Sequence, residues 1–212
     1  MTRKIFWEDP YRTELATQVA AVDGDEVTLE ATILYAMSGG QESDAGSIAD
    51  RPVLEARKAG ADIVYRLAPG HGLRPGEPVT LRLDWERRYR LMRLHLAAEI
   101  VLELTSRAFP GIEKIGAHIA AHKARIDFAW DASLAPALPG IALAAEAIIA
   151  ADHPIVSAFS DEPTGRRYWE IAGFARVPCG GTHLSRTGEI GALALKRANP
   201  GKGKERIEIR LA

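Results

Sequence analysis

The chain has 212 residues, 47% hydrophobic and 26% charged, with a formal net charge of −1, enough to bury a sizeable core in one large domain or two small ones. The charge excludes a globally basic nucleic-acid binder, so any RNA contact must come from local patches, and the single cysteine excludes an internal disulfide. No apolar run approaches the roughly 20 residues of a membrane helix, and residues 1–9 show no leader-type apolar stretch, so a cytoplasmic protein without membrane contact is expected.

Residues 18–22 and 27–35 flank Asp23-Gly24-Asp25 and predict a hairpin. A Gly/Ser/Asp-rich loop occupies 38–46. Short strands are expected at 48–56, 62–67 and 79–83, with turn-rich 71–78 before the last. That spacing suggests a small barrel or sandwich. Near Asp84 the period changes. Leu91, Leu94, Ala98, Val101, Leu102 and Thr105 fall on one stripe and predict a helix over 86–108, ended by Pro110-Gly111. A strand at 124–130 and a helix at about 140–151, stopped by Pro154, come next. Strands at 155–159, 167–174, 190–197 and 206–211 complete the chain. The expected class is α+β, with a long helix packed on a mostly antiparallel sheet. The expected boundary separates residues 1–84 from 85–212.

Cys179-Gly180-Gly181-Thr182-His183 is the most informative segment. A diglycine bend lets the sulfur and the imidazole converge, because glycine permits positive φ and tight turning. A thiolate with an imidazole suits zinc. Two other readings stay open: a packed Cys with an incidental His, and a Cys/His nucleophilic pair. More ligands are available on the long helix. His95 and Glu99 stand at i and i+4 on one face. A buried carboxylate needs a metal, a cation or hydrogen bonds; alternatively, Glu99 leans toward Arg93 or Arg107. His118 and His122 are expected at the surface, and His71 and His153 lie in turns. Arg87, Arg88, Arg90 and Arg93 form one basic cluster. Lys196, Arg197, Lys202 and Lys204 form another around a Gly-flanked loop. Either cluster can meet phosphates; either can equally be a solvated basic face. No phosphate-cradling glycine motif is present, so no nucleotide cofactor is expected.

These pieces occur in a particular order. Trp7 to Tyr11, Thr32 to Gln41 with Asp44 and Gly46, Arg90 to His95, Cys179 to His183 with Thr187-Gly-Glu-Ile190, and Lys196 to Ile209 together resemble the free-standing alanyl-tRNA editing proteins (AlaX). Those are similar to the editing domain of alanyl-tRNA synthetase, and more distantly to that of threonyl-tRNA synthetase. The resemblance implies a small N-terminal β-barrel carrying the glycine loop, then a two-layer α/β editing domain with one zinc ion. It implies hydrolysis of tRNA for alanine mischarged with serine or glycine. It places His95, Cys179 and His183 at zinc positions. The family has a second helix histidine where this chain has Glu99, which can be the fourth ligand, a general base, or the mark of a tRNA-binding relative with lost hydrolysis. Ser38 and Glu42 also depart, from a usual glycine and proline. Thr32 and Gln41 match, and both are candidate readers of a serine hydroxyl. Gly39 and Gly40 allow close approach of substrate. Thr182, Arg93, Lys196, Lys202 and Lys204 complete the expected substrate contacts.

Overall fold

Alternating burial shapes the N-terminal strands in the computed structural model, which describes residues 1–212. The chain divides into one unit of Met1–Ser38 with Glu42–Tyr89 and a second of Gly39–Gln41 with Arg90–Ala212. The strands of the first unit are β1 (Arg3–Lys4), β2 (Glu14–Asp23), β3 (Glu26–Leu29), β4 (Ala31–Thr32), β5 (Gly46–Ile48), β6 (Arg51–Pro52), β7 (Glu55–Ala59), β8 (Asp62–Arg66) and β9 (Pro78–Leu83). β1 runs parallel to β4, and the other seven form one curled antiparallel sheet in the order β6-β5-β9-β2-β3-β8-β7. A small barrel is the expectation for this unit; β6 and β7, at the two ends of that order, are consecutive in the chain and pair with β5 and β8 respectively. Phe6, Val19, Val27, Leu29, Ile48, Ile63, Tyr65 and Leu81 lie in its core.

One strand expected at 48–56 is three short ones. Ala49 and Asp50 both take left-handed φ, 47° and 62°, and turn the chain between Ile48 and Arg51. Such turns usually announce themselves with Asn-Gly or Asp-Gly, and Ala-Asp does not. The long helix, α1 (Trp85–Ala108), matches the expected span. Its first turn changes the reading of the arginine cluster. Arg88 is fully buried, ion-paired to Asp44, and donates to the carbonyls of Ile33 (2.7 Å) and Pro10 (2.8 Å). Arg87 pairs with Glu42 at 2.7 Å. Removing one partner of a buried pair strands the other charge. Arg88→Met is therefore expected to destabilise this unit by about 3–5 kcal/mol. Urea denaturation checks it, and a change below about 1 kcal/mol would contradict the interior role.

The rest of the second unit comprises β10 (Glu113–Ala120), β11 (Lys123–Ala129), α2 (Leu138–Ala150), β12 (Val156–Asp161), β13 (Arg166–Ile171), β14 (Ala175–Pro178), β15 (Leu193–Gly201) and β16 (Lys204–Leu211). An antiparallel sheet runs β10-β11-β16-β15, and a second runs β12-β13-β14. Alternation drives the first sheet: Ala124, Ile126 and Phe128 of β11 and Ile207 and Ile209 of β16 are buried. The strand expected at 167–174 is β13, which ends at Ile171, and the chain then folds back as β14. That return leaves Cys179 beside Arg167, whose carbonyl accepts the Cys179 N–H at 2.9 Å. No helix is long and apolar enough to cross a membrane.

Candidate metal centre

Three segments of the second unit supply the site: one face of α1, the bend after β14, and the short stretch Gly39–Gln41. The i, i+4 spacing puts His95 and Glu99 side by side, with His95 Nε2 3.4 Å from Glu99 Oε1. From the bend, Cys179 Sγ lies 3.5 Å from His95 Nε2, and His183 Nε2 lies 3.1 Å from Glu99 Oε2. One donor atom from each of His95, Glu99, Cys179 and His183 lies within 4.8 Å of the others. Ligands about 2.0–2.3 Å from a tetrahedral ion stand roughly 3.3–3.8 Å apart, so this donor set is able to hold a metal. His95 and His183 are nearly inaccessible, and the Glu99 side chain is 14% exposed. Arg107 meets Phe174 and Arg93 meets Ile190, while Glu99 faces the two imidazoles.

The bend does not use the positive φ expected of its glycines. Neither Gly180 nor Gly181 adopts positive φ. A Cβ on Gly181 would instead run into the His95 ring, 2.7 Å from Nδ1, and stand 2.8 Å from Gln41 Oε1. Space, not backbone freedom, requires glycine at 181. Gly40 does need its freedom: its φ is 90°, and a Cβ would lie 2.6 Å from the Ala117 carbonyl oxygen. That close approach lets Ile119 N–H donate to Gly40 O at 2.8 Å and pairs Gln41 with Ile119 on the edge of β10.

Gln41 is fully buried, and its amide is committed to the protein. Oε1 accepts from Thr182 N–H at 3.4 Å, and Nε2 donates to Thr182 Oγ1 at 3.0 Å. With Oε1 fixed as an acceptor, the 2.6 Å contact to His95 requires Nδ1 to carry the proton. Nε2 is then the nitrogen that faces Cys179 and Glu99, as in metal sites whose ligand histidines are oriented through the other ring nitrogen. Sequence reasoning marked Gln41 as a substrate reader and missed this role; only the folded chain brings residues 41 and 95 together. It also missed Trp169, fully buried with its ring centroid 6.5 Å from that of His183.

Charge in the cluster is mutually supporting. Burial alone would lower the His95 and His183 pKa values, but the Glu99 carboxylate and Cys179 outweigh it and raise both. Burial would raise Glu99, yet the two imidazoles hold it well below the usual carboxylate range. Burial and Glu99 both push the Cys179 thiol up, but His95 and hydrogen bonds from the imidazoles win and bring it down to about 7. A metal must displace the imidazole protons and the thiol proton. Because the imidazole pKa values are raised, those protons compete to higher pH than usual, and metal affinity is expected to rise by about 10-fold or more per unit between pH 6 and 8. Chelator competition measures it; a flat profile would contradict the ligand assignment.

The other expected contacts are more scattered. Arg93 donates twice to the Ile190 carbonyl, at 2.9 and 2.7 Å. Lys196, Lys202 and Lys204 are exposed on β15, the following turn and β16. Gly39 has open space around it. Thr32 belongs to the first unit, where its hydroxyl meets Tyr65 OH at 2.7 Å and accepts from Leu34 N–H at 3.0 Å. His118 lies on β10, and His122 is exposed in the turn that follows it.

The chain is similar to known proteins along its whole length. The family described as "Threonyl and Alanyl tRNA synthetase second additional domain" matches residues 170–208, which include the Cys179-to-His183 bend. The chain is 30% identical to the alanyl-tRNA editing protein AlaX-M of Pyrococcus horikoshii, over 99% of this chain and 97% of the relative. It is also 30% identical to AlaX-M of Saccharolobus solfataricus, over 98% of both chains. The alanine–tRNA ligase of Ignicoccus hospitalis is 33% identical over 92% of this chain, which spans 24% of the ligase. With the likeness running from end to end, the chain belongs to the family of AlaX-M alanyl-tRNA editing proteins.

Proposed function

We propose that this chain hydrolyses, in trans, the ester of mischarged tRNA for alanine. Seryl-tRNA(Ala) is the main substrate in this reading and glycyl-tRNA(Ala) a second. The site holds one zinc ion through His95, Glu99, Cys179 and His183. The carrying observation is that cluster of donors within 4.8 Å, in a chain aligned end to end with editing proteins. A thiolate, two imidazoles and a carboxylate suit zinc better than harder cations. When bound, the ion would supply positive charge to polarise the ester carbonyl or to anchor the amino acid.

The protein's own groups do the rest. Gln41 keeps the His95 ring in one tautomer and one orientation. Thr182 Oγ1 accepts from Gln41, which leaves its hydroxyl proton to donate to a substrate oxygen. Cys179 and Glu99 bring two negative charges, where a second helix histidine in place of Glu99 would leave one. The exposed Lys196, Lys202 and Lys204 meet tRNA phosphates, and charged tRNA sets the cytoplasm as the place of work.

Serine exceeds alanine by one hydroxyl, so a polar pocket rejects the smaller amino acid by leaving its own groups unpaired. The purified protein is therefore expected to release serine faster than alanine from tRNA(Ala), by a factor on the order of 10³. Equal rates on both aminoacyl-tRNAs would sink the reading.

A further inference from the structure

The four-stranded sheet has a second face, of which the proposed hydrolysis uses only Lys196 and Lys204. Opposite the buried Ala124, Ile126, Phe128, Ile207 and Ile209, the pleat sets out charged residues. Register places His118, Arg125, Glu208 and Lys196 in one row across β10, β11, β16 and β15. Gly116, Asp127, Arg206 and Ala198 form the next row. Lys123, one residue before Ala124, and Arg210, opposite Ala194, extend the same face. Glu113, Ala129 and Lys204 form a further row, so six cations face three carboxylates, a surplus of three positive charges in a chain whose total is −1.

The acids organise the cations rather than neutralise them. Asp127 accepts from Arg206 at 2.6 and 3.1 Å and also pairs with Arg125. Glu208 accepts from Lys123 at 2.6 Å and lies 3.8 Å from Arg210. Guanidinium and ammonium N–H groups outnumber the carboxylate oxygens here, and holding them in place beforehand reduces the entropy lost when a ligand binds. Gly116, Ala194 and Ala198 leave the flanks low. A purely structural set of surface pairs contributes little stability and gives no reason for a surplus of one sign.

We propose that this face is a docking surface for the phosphate backbone of tRNA, an inference that rests on the reading of the chain as a tRNA-editing enzyme. Charge complementarity selects the occupant: a polyanion satisfies the surplus cations together and releases its counterions. The position also fits. The β10 edge of this sheet carries Gly40 and Gln41, and Gln41 contacts His95. RNA on the face therefore adjoins the edge that leads to the metal cluster.

The test uses the full chain, uncharged tRNA(Ala) for binding and seryl-tRNA(Ala) for hydrolysis. Lys196→Glu with Arg210→Glu is expected to weaken tRNA binding about 10-fold or more at 0.1 M salt. The salt slope should fall by about 1 for each cation removed, with the catalytic loss appearing in KM. Glu208→Gln removes an acid from the face and should tighten binding severalfold, a gain that a structural role does not produce. Variants that bind tRNA with the wild-type affinity and salt slope, and still deacylate, overturn the surface and leave the hydrolase standing. Weakened tRNA binding in the variants of a chain that releases no serine keeps the surface and removes the hydrolase. If the variants lose binding only to phosphatidylserine vesicles, the RNA assignment is wrong.

Discussion

Cys179→Ala is expected to empty the metal site and to slow release of serine from seryl-tRNA(Ala) by about 100-fold or more. The loss of an outer-shell partner already weakens metal sites by about 10- to 100-fold, and Cys179 is one of the four proposed direct donors, with Sγ 3.5 Å from His95 Nε2. The fold should survive, because the backbone bond from Cys179 N–H to Arg167 O does not involve the sulfur. Alanine alone does not separate a ligand from a nucleophile. Cys179→His does: an imidazole can replace a thiolate as donor, but not as the attacking sulfur. Recovery of metal and part of the activity in Cys179→His, measured by metal analysis and single-turnover deacylation, is the expected result. Metal-free wild-type protein that hydrolyses at full rate and is inactivated by thiol alkylation would assign the sulfur to nucleophilic attack.

Gly181→Ala should be nearly as damaging, whereas Gly180→Ala should not. The contrast follows from space alone. A methyl group at 181 meets the His95 ring and Gln41 Oε1, while nothing lies within 4 Å of one at 180. The backbone cannot accept the 181 methyl without turning His95 away from Cys179 or pushing Gln41 off His95 Nδ1. Overpacking of this kind costs about 1–3 kcal/mol, and here the displaced groups are the donors. A drop in metal affinity of about 10- to 100-fold is expected for Gly181→Ala, with less than a 3-fold change for Gly180→Ala. Equal effects of the two substitutions would show that the bend matters through its backbone conformation and not through the room it gives His95.

The sequence made some of this site readable and hid the rest, for physical reasons. Cys179 and His183 are close in the chain, and His95 and Glu99 are one helical turn apart. Each pair is a local geometry, and local geometry follows from spacing. Gln41 illustrates the opposite case: its residue type suggested a polar contact, but the partners of its amide were set by the edge of β10, which spacing does not reveal. The arginines at the start of α1 misled in the same way. Arg88 reads as a surface charge beside Arg87 and Arg90, yet Asp44 and two carbonyls make burial tolerable. In the fold, the β2–β3 hairpin and the long helix followed from periodicity. The turn at Ala49–Asp50 and the β13–β14 return lacked the usual turn residues or were masked by a continuous apolar pattern. The change in ligand type at Glu99 was legible as well, and its consequence is electrostatic: the helix contributes an anion to a cluster in which two imidazoles already hold the carboxylate ionised.

The three-residue stretch Gly39–Gln41 has a practical consequence for dissecting the molecule. A fragment beginning at Trp85 would retain every atom able to grip the ion. It would nevertheless lack the amide that holds the His95 imidazole and the backbone that lines the β10 edge. Transplanting the C-terminal portion into another protein would therefore carry over a loosened centre, and the smallest autonomous catalyst must include a peptide borrowed from upstream of the composition break.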